Sequence, residues 1–81
     1  MSKYNVFWLP SAEQHLTDIW INAHDKRAVR AAADEMDRRL ADSPAGQGES
    51  RDDRVRIAFA PPLGIEFEIV EQDRKVLVLA V

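Results

Sequence analysis

From Tyr4 to Leu9 the chain alternates Tyr4, Val6 and Trp8 with Phe7 and Leu9, so the first predicted strand is apolar on both faces. Pro10 bounds it. Ser11 and Gln14 have the S-x-x-Q form of a capping box, which predicts a helix from Ala12. Ala12, Leu16, Ile19, Trp20 and Ala23 recur on one face of that helix, with Glu13, Gln14, Thr17 and Asp18 toward water. Asp25 is the expected cap of a second helix. There Val29, Ala33, Met36 and Leu40 form an apolar stripe opposite a charged ladder of Arg27, Arg30, Asp34, Asp37 and Arg38. The alanine run Ala31 to Ala33 favours the helix, and Ser43-Pro44 ends it.

Between Ala45 and Asp53 no apolar residue offers an anchor beyond Ala45 itself, and the stretch is expected to be a mobile loop. Val55, Ile57 and Phe59 then alternate with Arg54, Arg56 and Ala58 in a second strand that stops at Pro61-Pro62. Ile65, Phe67 and Ile69 alternate with Glu66, Glu68 and Val70 in a third. After a turn at Gln72-Asp73-Arg74, Lys75 to Val81 is apolar on both faces, the mark of a central strand. The predicted fold is α+β in the order β-α-α-β-β-β: a helical hairpin, about Ala12 to Asp42, on one face of a four-stranded, mainly antiparallel sheet. Short turns make the last three strands a meander, and the first strand can pair only on the free edge of the fourth, giving the order 1-4-3-2. Leu16, Ile19, Trp20, Val29, Met36, Leu40, Ile57, Phe67, Ile69 and Val78 are the expected core.

A chain of 81 residues accommodates a single domain, taken as residues 1–81, with one thin core. The absence of cysteine excludes disulfides, thiolate metal sites and a cysteine nucleophile. The longest apolar run, Val76 to Val81, is far short of the roughly 20 residues that span a bilayer, and Met1 to Pro10 does not read as a signal peptide, so the cytoplasm is the expected location. Residues 1–40 carry six basic and six acidic side chains, and residues 41–81 carry five and eight, so the net charge of −3 arises in the second half. Nucleic-acid binders use clustered basic faces to displace counterions from phosphates, and no such cluster is present, so direct nucleic-acid binding is not expected.

Tyr4-Asn5-Val6-Phe7-Trp8-Leu9-Pro10-Ser11-Ala12-Glu13, followed by Leu16, Ile19 and Trp20, resembles the first strand and helix of the RelE/ParE toxins of bacterial type II toxin–antitoxin systems. Leu40-Ala41-Asp42-Ser43-Pro44 is similar to the end of their second helix. Pro62-Leu63-Gly64-Ile65-Glu66-Phe67-Glu68-Ile69 and Asp73-Arg74-Lys75-Val76-Leu77-Val78-Leu79 are similar to their closing hairpin. The resemblance covers nearly the whole chain. It implies a cognate antitoxin that wraps the toxin, and one of two targets: messenger RNA cleaved in the ribosome, or DNA gyrase.

RelE-type cleavage uses the RNA's own 2′-hydroxyl, with basic side chains stabilising the phosphate charge and a tyrosine, histidine or glutamate moving protons. The resemblance puts these groups on the sheet face away from the helices, where Arg54 and Arg56 match basic positions and are the only candidate catalytic residues. Gly64 stands where active ribonucleases carry an arginine, three residues before the aromatic Phe67. The family's catalytic groups beyond the last strand have no counterpart through Val81. Glu66 and Glu68 would oppose phosphate binding. Cross-strand ion pairs of Arg54 and Arg56 with Glu66 and Glu68 account for these side chains better.

The expected function is therefore a toxin-like component acting through protein partners without a full ribonuclease site. The alternatives are a ribosome-dependent messenger-RNA interferase and a non-toxic scaffold serving as an oligomeric interaction module. Arg54, Arg56, Glu66, Glu68, Leu77 and Leu79 are the expected partner-binding residues. Leu77 and Leu79 lie on a sheet face with little to cover it, which predicts self-association or dependence on an antitoxin. No metal or other cofactor is expected: His15 and Asp18 lack a third ligand, and Gly46, Gly48 and Gly64 form no phosphate loop. His24 is expected to favour the C-terminal dipole of the first helix, Ser11 to cap that helix, and Trp8 and Trp20 to be core residues.

Overall fold

The computed structural model describes residues 4–46, 49–50 and 54–81. Strand β1 (Asn5–Trp8) leads into helices α1 (Pro10–Asn22) and α2 (Lys26–Asp42), and a 3-10 turn at Pro44–Gly46 follows. The remaining strands are β2 (Glu49–Ser50), β3 (Val55–Ala60), β4 (Leu63–Val70) and β5 (Lys75–Ala80), with a second 3-10 turn at Glu71–Asp73. Their order across the sheet is β1-β5-β4-β3-β2. Without the two-residue β2 this is the expected 1-4-3-2 arrangement. β1 runs parallel to β5 and every other pairing is antiparallel. Of the stretch expected to be a loop, Glu49 and Ser50 pair with Ile57 and Arg56, whereas Gln47, Gly48 and residues 51–53 lie outside the described residues.

Helix α1 begins two residues before the expected start. Leu9 is the last extended residue (φ −64°, ψ 150°), and its carbonyl accepts from the Glu13 amide at 2.9 Å. Pro10 therefore occupies the first helical turn, where its fixed φ suits the helix and its missing N–H removes no bond. Ser11 lies inside the helix, so the capping-box reading fails. At α2 the expected cap is present: the Asp25 carboxylate accepts from the Ala28 amide at 3.0 Å. His24 lies beyond the end of α1. There the Lys26 ammonium donates to the Ile21 and Ala23 carbonyls at 3.2 and 3.3 Å, the cationic role expected of His24.

The core lies between the helices and one sheet face. Val29, Ala32, Met36 and Leu40 of α2 meet Ala58, Ala60, Leu63, Ile65, Phe67, Val76 and Val78, with Ala12 of α1 closing one side. Tyr4, Val6, Trp8, Leu16, Ile19 and Ile69 pack half-buried around it. Two expected core residues lie elsewhere. Trp20 is 43% exposed because, at about 100° per residue, it sits roughly 70° from the centre of the Ala12, Leu16, Ile19, Ala23 stripe. The Lys26 ammonium lies 5.5 Å from its ring centroid. Ile57 belongs to the opposite face of the sheet, because β3 turns Ala58 and Ala60 inward and Phe59 outward.

That inversion follows from how closely α2 approaches β3. Ala28, Ala31 and Ala32 of the helix border a shallow surface with Ala60 and Pro61, and the Arg39 guanidinium donates to the Phe59 carbonyl at 3.3 Å. Alanine against alanine permits this approach, and isoleucine and phenylalanine in the same places would overfill it. Glu35 is bonded by Arg38 and Arg39, which holds its carboxyl below the usual carboxylate range, Arg38 contributing most. Among the described residues no helix is long and apolar enough to cross a membrane.

Candidate partner-binding surface

The sheet face away from the helices is built from residues that alternate with the core rows. β1 contributes Asn5 and Phe7, β5 contributes Lys75 and Leu77, and β4 contributes Gly64, Glu66 and Glu68. β3 adds Val55, Ile57 and Phe59. The registers join Phe7, Leu77, Glu68 and Val55 in one row across four strands, and Ala80, Glu66 and Ile57 in the next. Phe7 and Phe59 are 51% and 69% exposed. The surface is thus an apolar field with two carboxylates on its central strand, spaced about 7 Å apart by the strand rise, and with Lys75 at one end of β5, 3.7 Å from the Asp73 carboxylate. Neither Glu66 nor Glu68 forms an ion pair among the described residues.

The expected group of site residues divides between the two faces. Arg56 lies directly opposite Phe67 on the helix side, half-buried, and Arg54 stands at an exposed bend before β3. The residues opposite Glu68 and Glu66 are Val55 and Ile57, so the arginine row does not share a face with the carboxylates. Arg54 and Arg56 are each engaged by neighbouring groups. The predicted cross-strand pairing required the arginines to face away from the helices, and the inward turn of Ala58 and Ala60 prevents it. Leu77 is on the open face. Leu79 is the extra residue of a bulge, since Phe67 and Glu66 are adjacent on β4 while their partners Val78 and Ala80 are separated by one residue.

Phe59 and Gly64 complete the surface. They are directly opposite in the β3–β4 register, and a Cβ on Gly64 would lie 2.9 Å from two carbons of the Phe59 ring. The ring therefore rests on the glycine backbone, and an arginine at position 64 would collide with it. Beside the ring a cleft of about 210 Å³ is lined by Ile57, Phe59, Gly64, Glu66, Ala80 and Val81. The sequence reading has Gly64 as a missing arginine and gives Phe59 a place only as an alternating strand residue. The signal that was available is their pairing across a tight hairpin turn.

Other polar groups are taken up locally. The Trp8 indole N–H donates to Asp37 at 2.7 Å, and Gln14 donates to Asp18 at 3.2 Å. The Tyr4 hydroxyl donates to Glu71 at 2.7 Å, and this bond, with some burial, raises the phenol above its ordinary pKa. The Arg74 guanidinium lies 5.3 Å from the centroid of the same ring. No group of three or more His, Asp or Glu side chains is placed to hold a metal ion among the described residues.

The backbone superposes on a chain of the RelBE2 toxin–antitoxin complex from Mycobacterium tuberculosis with a TM-score of 0.78 and 18% identity, covering 99% of this chain and 90% of that one. A chain of the chromosomal ParDE toxin–antitoxin system from P. aeruginosa matches with a TM-score of 0.71 and 18% identity, covering 96% and 92%. No family model matches the sequence, and no curated protein matches it. The helical hairpin over a mixed sheet is thus a RelE/ParE-like fold over nearly the entire chain.

Proposed function

We propose that this protein is the toxin component of a type II toxin–antitoxin system, held inactive by a cognate antitoxin and acting in the cytoplasm through a protein target. The observation that carries the reading is the RelE/ParE-like fold, matched along 99% of the chain in a toxin–antitoxin complex. Of the two targets implied by the resemblance, the chemistry of the open face favours a protein such as DNA gyrase over messenger RNA. A phosphate backbone would meet Glu66 and Glu68 there, and Coulomb repulsion between like charges opposes it. Arg56, on the other face, is not available beside them.

The test is induction of the chain in a bacterial host from a tightly repressed promoter, with and without the small open reading frame beside its gene. Growth arrest that the neighbour relieves, with no new 5′ ends in translated messages, is the expected result. Unimpaired growth at high expression would favour the non-toxic scaffold. New 5′ ends that vanish in Arg54→Ala or Arg56→Ala would establish the interferase.

A further inference from the structure

We infer that the cleft between Phe59 and Glu66 is a receptor for one lysine or arginine side chain, presented by an extended apolar segment of a protein partner. The inference deepens the proposed function by stating what the partner must carry. It rests on that reading only for the partner being a protein.

The first ground is shape. The cleft of about 210 Å³ has apolar walls from Ile57, Phe59, Ala80 and Val81, and Glu66 supplies its charged group. Long basic side chains have the same division, an aliphatic stem below a cationic head, and they bury the stem along apolar surface while the head keeps a polar partner. The second ground is preorganisation. A residue as exposed as Phe59, at 69%, would ordinarily sample several rotamers, but its ring is seated on Gly64, which has no side chain to displace it. A fixed ring costs less ordering entropy on binding, and its face attracts a cation. The third ground is charge. Glu66 has no ion-pair partner among the described residues, and Glu68 stands two residues along the same strand. A cationic head is therefore complementary to this site, and an acidic segment would be repelled.

The surrounding rows set the rest of the segment's pattern. Leu77, Phe7 and Val55 flank Glu68 at the level of the next open-face position. An extended partner strand laid across the face places alternate side chains toward it, so apolar residues two positions before and after the basic one would meet these groups.

The experiment uses the purified chain, 15N-labelled, and a blocked five-residue peptide with valine first and last, arginine in the middle and serine between them. Two control peptides replace arginine by glutamine or by glutamate. Saturable shifts at Phe59, Glu66, Ala80 and Val81 are expected with the arginine peptide, at least about tenfold weaker binding with the glutamine peptide, and none with the glutamate peptide. Glu66→Gln should weaken binding of the arginine peptide about tenfold, whereas Glu68→Gln, outside the cleft, should weaken it less than about threefold. Gly64→Ala, which lifts the Phe59 ring, should weaken it as well. If that variant fails to fold, the Glu66→Gln comparison still decides. Equal binding of the three peptides, or no loss with Glu66→Gln, would overturn the inference. A discrete dimer that buries Phe59 and excludes the peptide would also overturn it, by giving the cleft to a second copy of the chain. Growth arrest by a protein that fails this titration would leave the toxin reading standing and remove only the receptor.

Discussion

Tyr4 is the one tyrosine in the chain, so its titration can be followed directly by absorbance. Its hydroxyl donates to Glu71, a bond that the ionised phenol cannot make, and the loss of that bond, with burial and then repulsion between the two charges adding to it, is why its pKa is raised. A group whose pKa is higher in the folded state contributes stability that is complete below its ordinary value of about 10 and is lost as the pH rises through the folded value. Tyrosinate absorbance should therefore appear at higher pH in the folded chain than in urea. Glu71→Gln should move the folded midpoint down, and an unshifted midpoint would show that the contact is not formed in solution. Single residues differed in how legible they were. Asp25 could be read as a cap because an aspartate before a helical stripe has one obvious bond to make. Ser11 was misread because Pro10 starts a helix without any side-chain cap.

At the scale of elements, periodicity located the major strands and helices but did not orient β3. The run from Arg54 to Ala60 has a period of two in either facing, and the bulkier set, Val55, Ile57 and Phe59, looked like the core set. What decides is the neighbour: α2 offers Ala28, Ala31 and Ala32 at that edge, so small residues must face it. Ala58→Leu should destabilise the domain by about 1–3 kcal/mol through overpacking. Ile57→Ala, on the open face, should cost less than Leu40→Ala, for which about 2–5 kcal/mol is expected from the fully buried stripe. Urea denaturation of the three variants checks the order. If Ile57→Ala matched Leu40→Ala, the facing of β3 would be wrong.

For the molecule as a whole, the topology was legible because β5 is apolar on both faces and so must lie between two strands, which leaves β1 only one place to pair. The proposed partner surface was legible in part. Glu66, Glu68 and Leu77 were identified as contact residues, but Arg54 and Arg56 were grouped with them because alternation alone does not say which face a strand gives to the helices. The open face instead combines Phe7, Leu77, Ile57 and Phe59 with carboxylates that form no ion pair among the described residues, a pattern suited to a protein and opposed to phosphate. The most direct measurement is a methyl-detected NMR titration of the labelled chain with the proposed cognate antitoxin. At saturation the methyl signals of Ile57, Leu77 and Val55 should all shift, whatever happens to those of the helices. A saturated complex in which these three signals stay where they were would contradict the assignment of the open face as the surface through which the protein meets its partners.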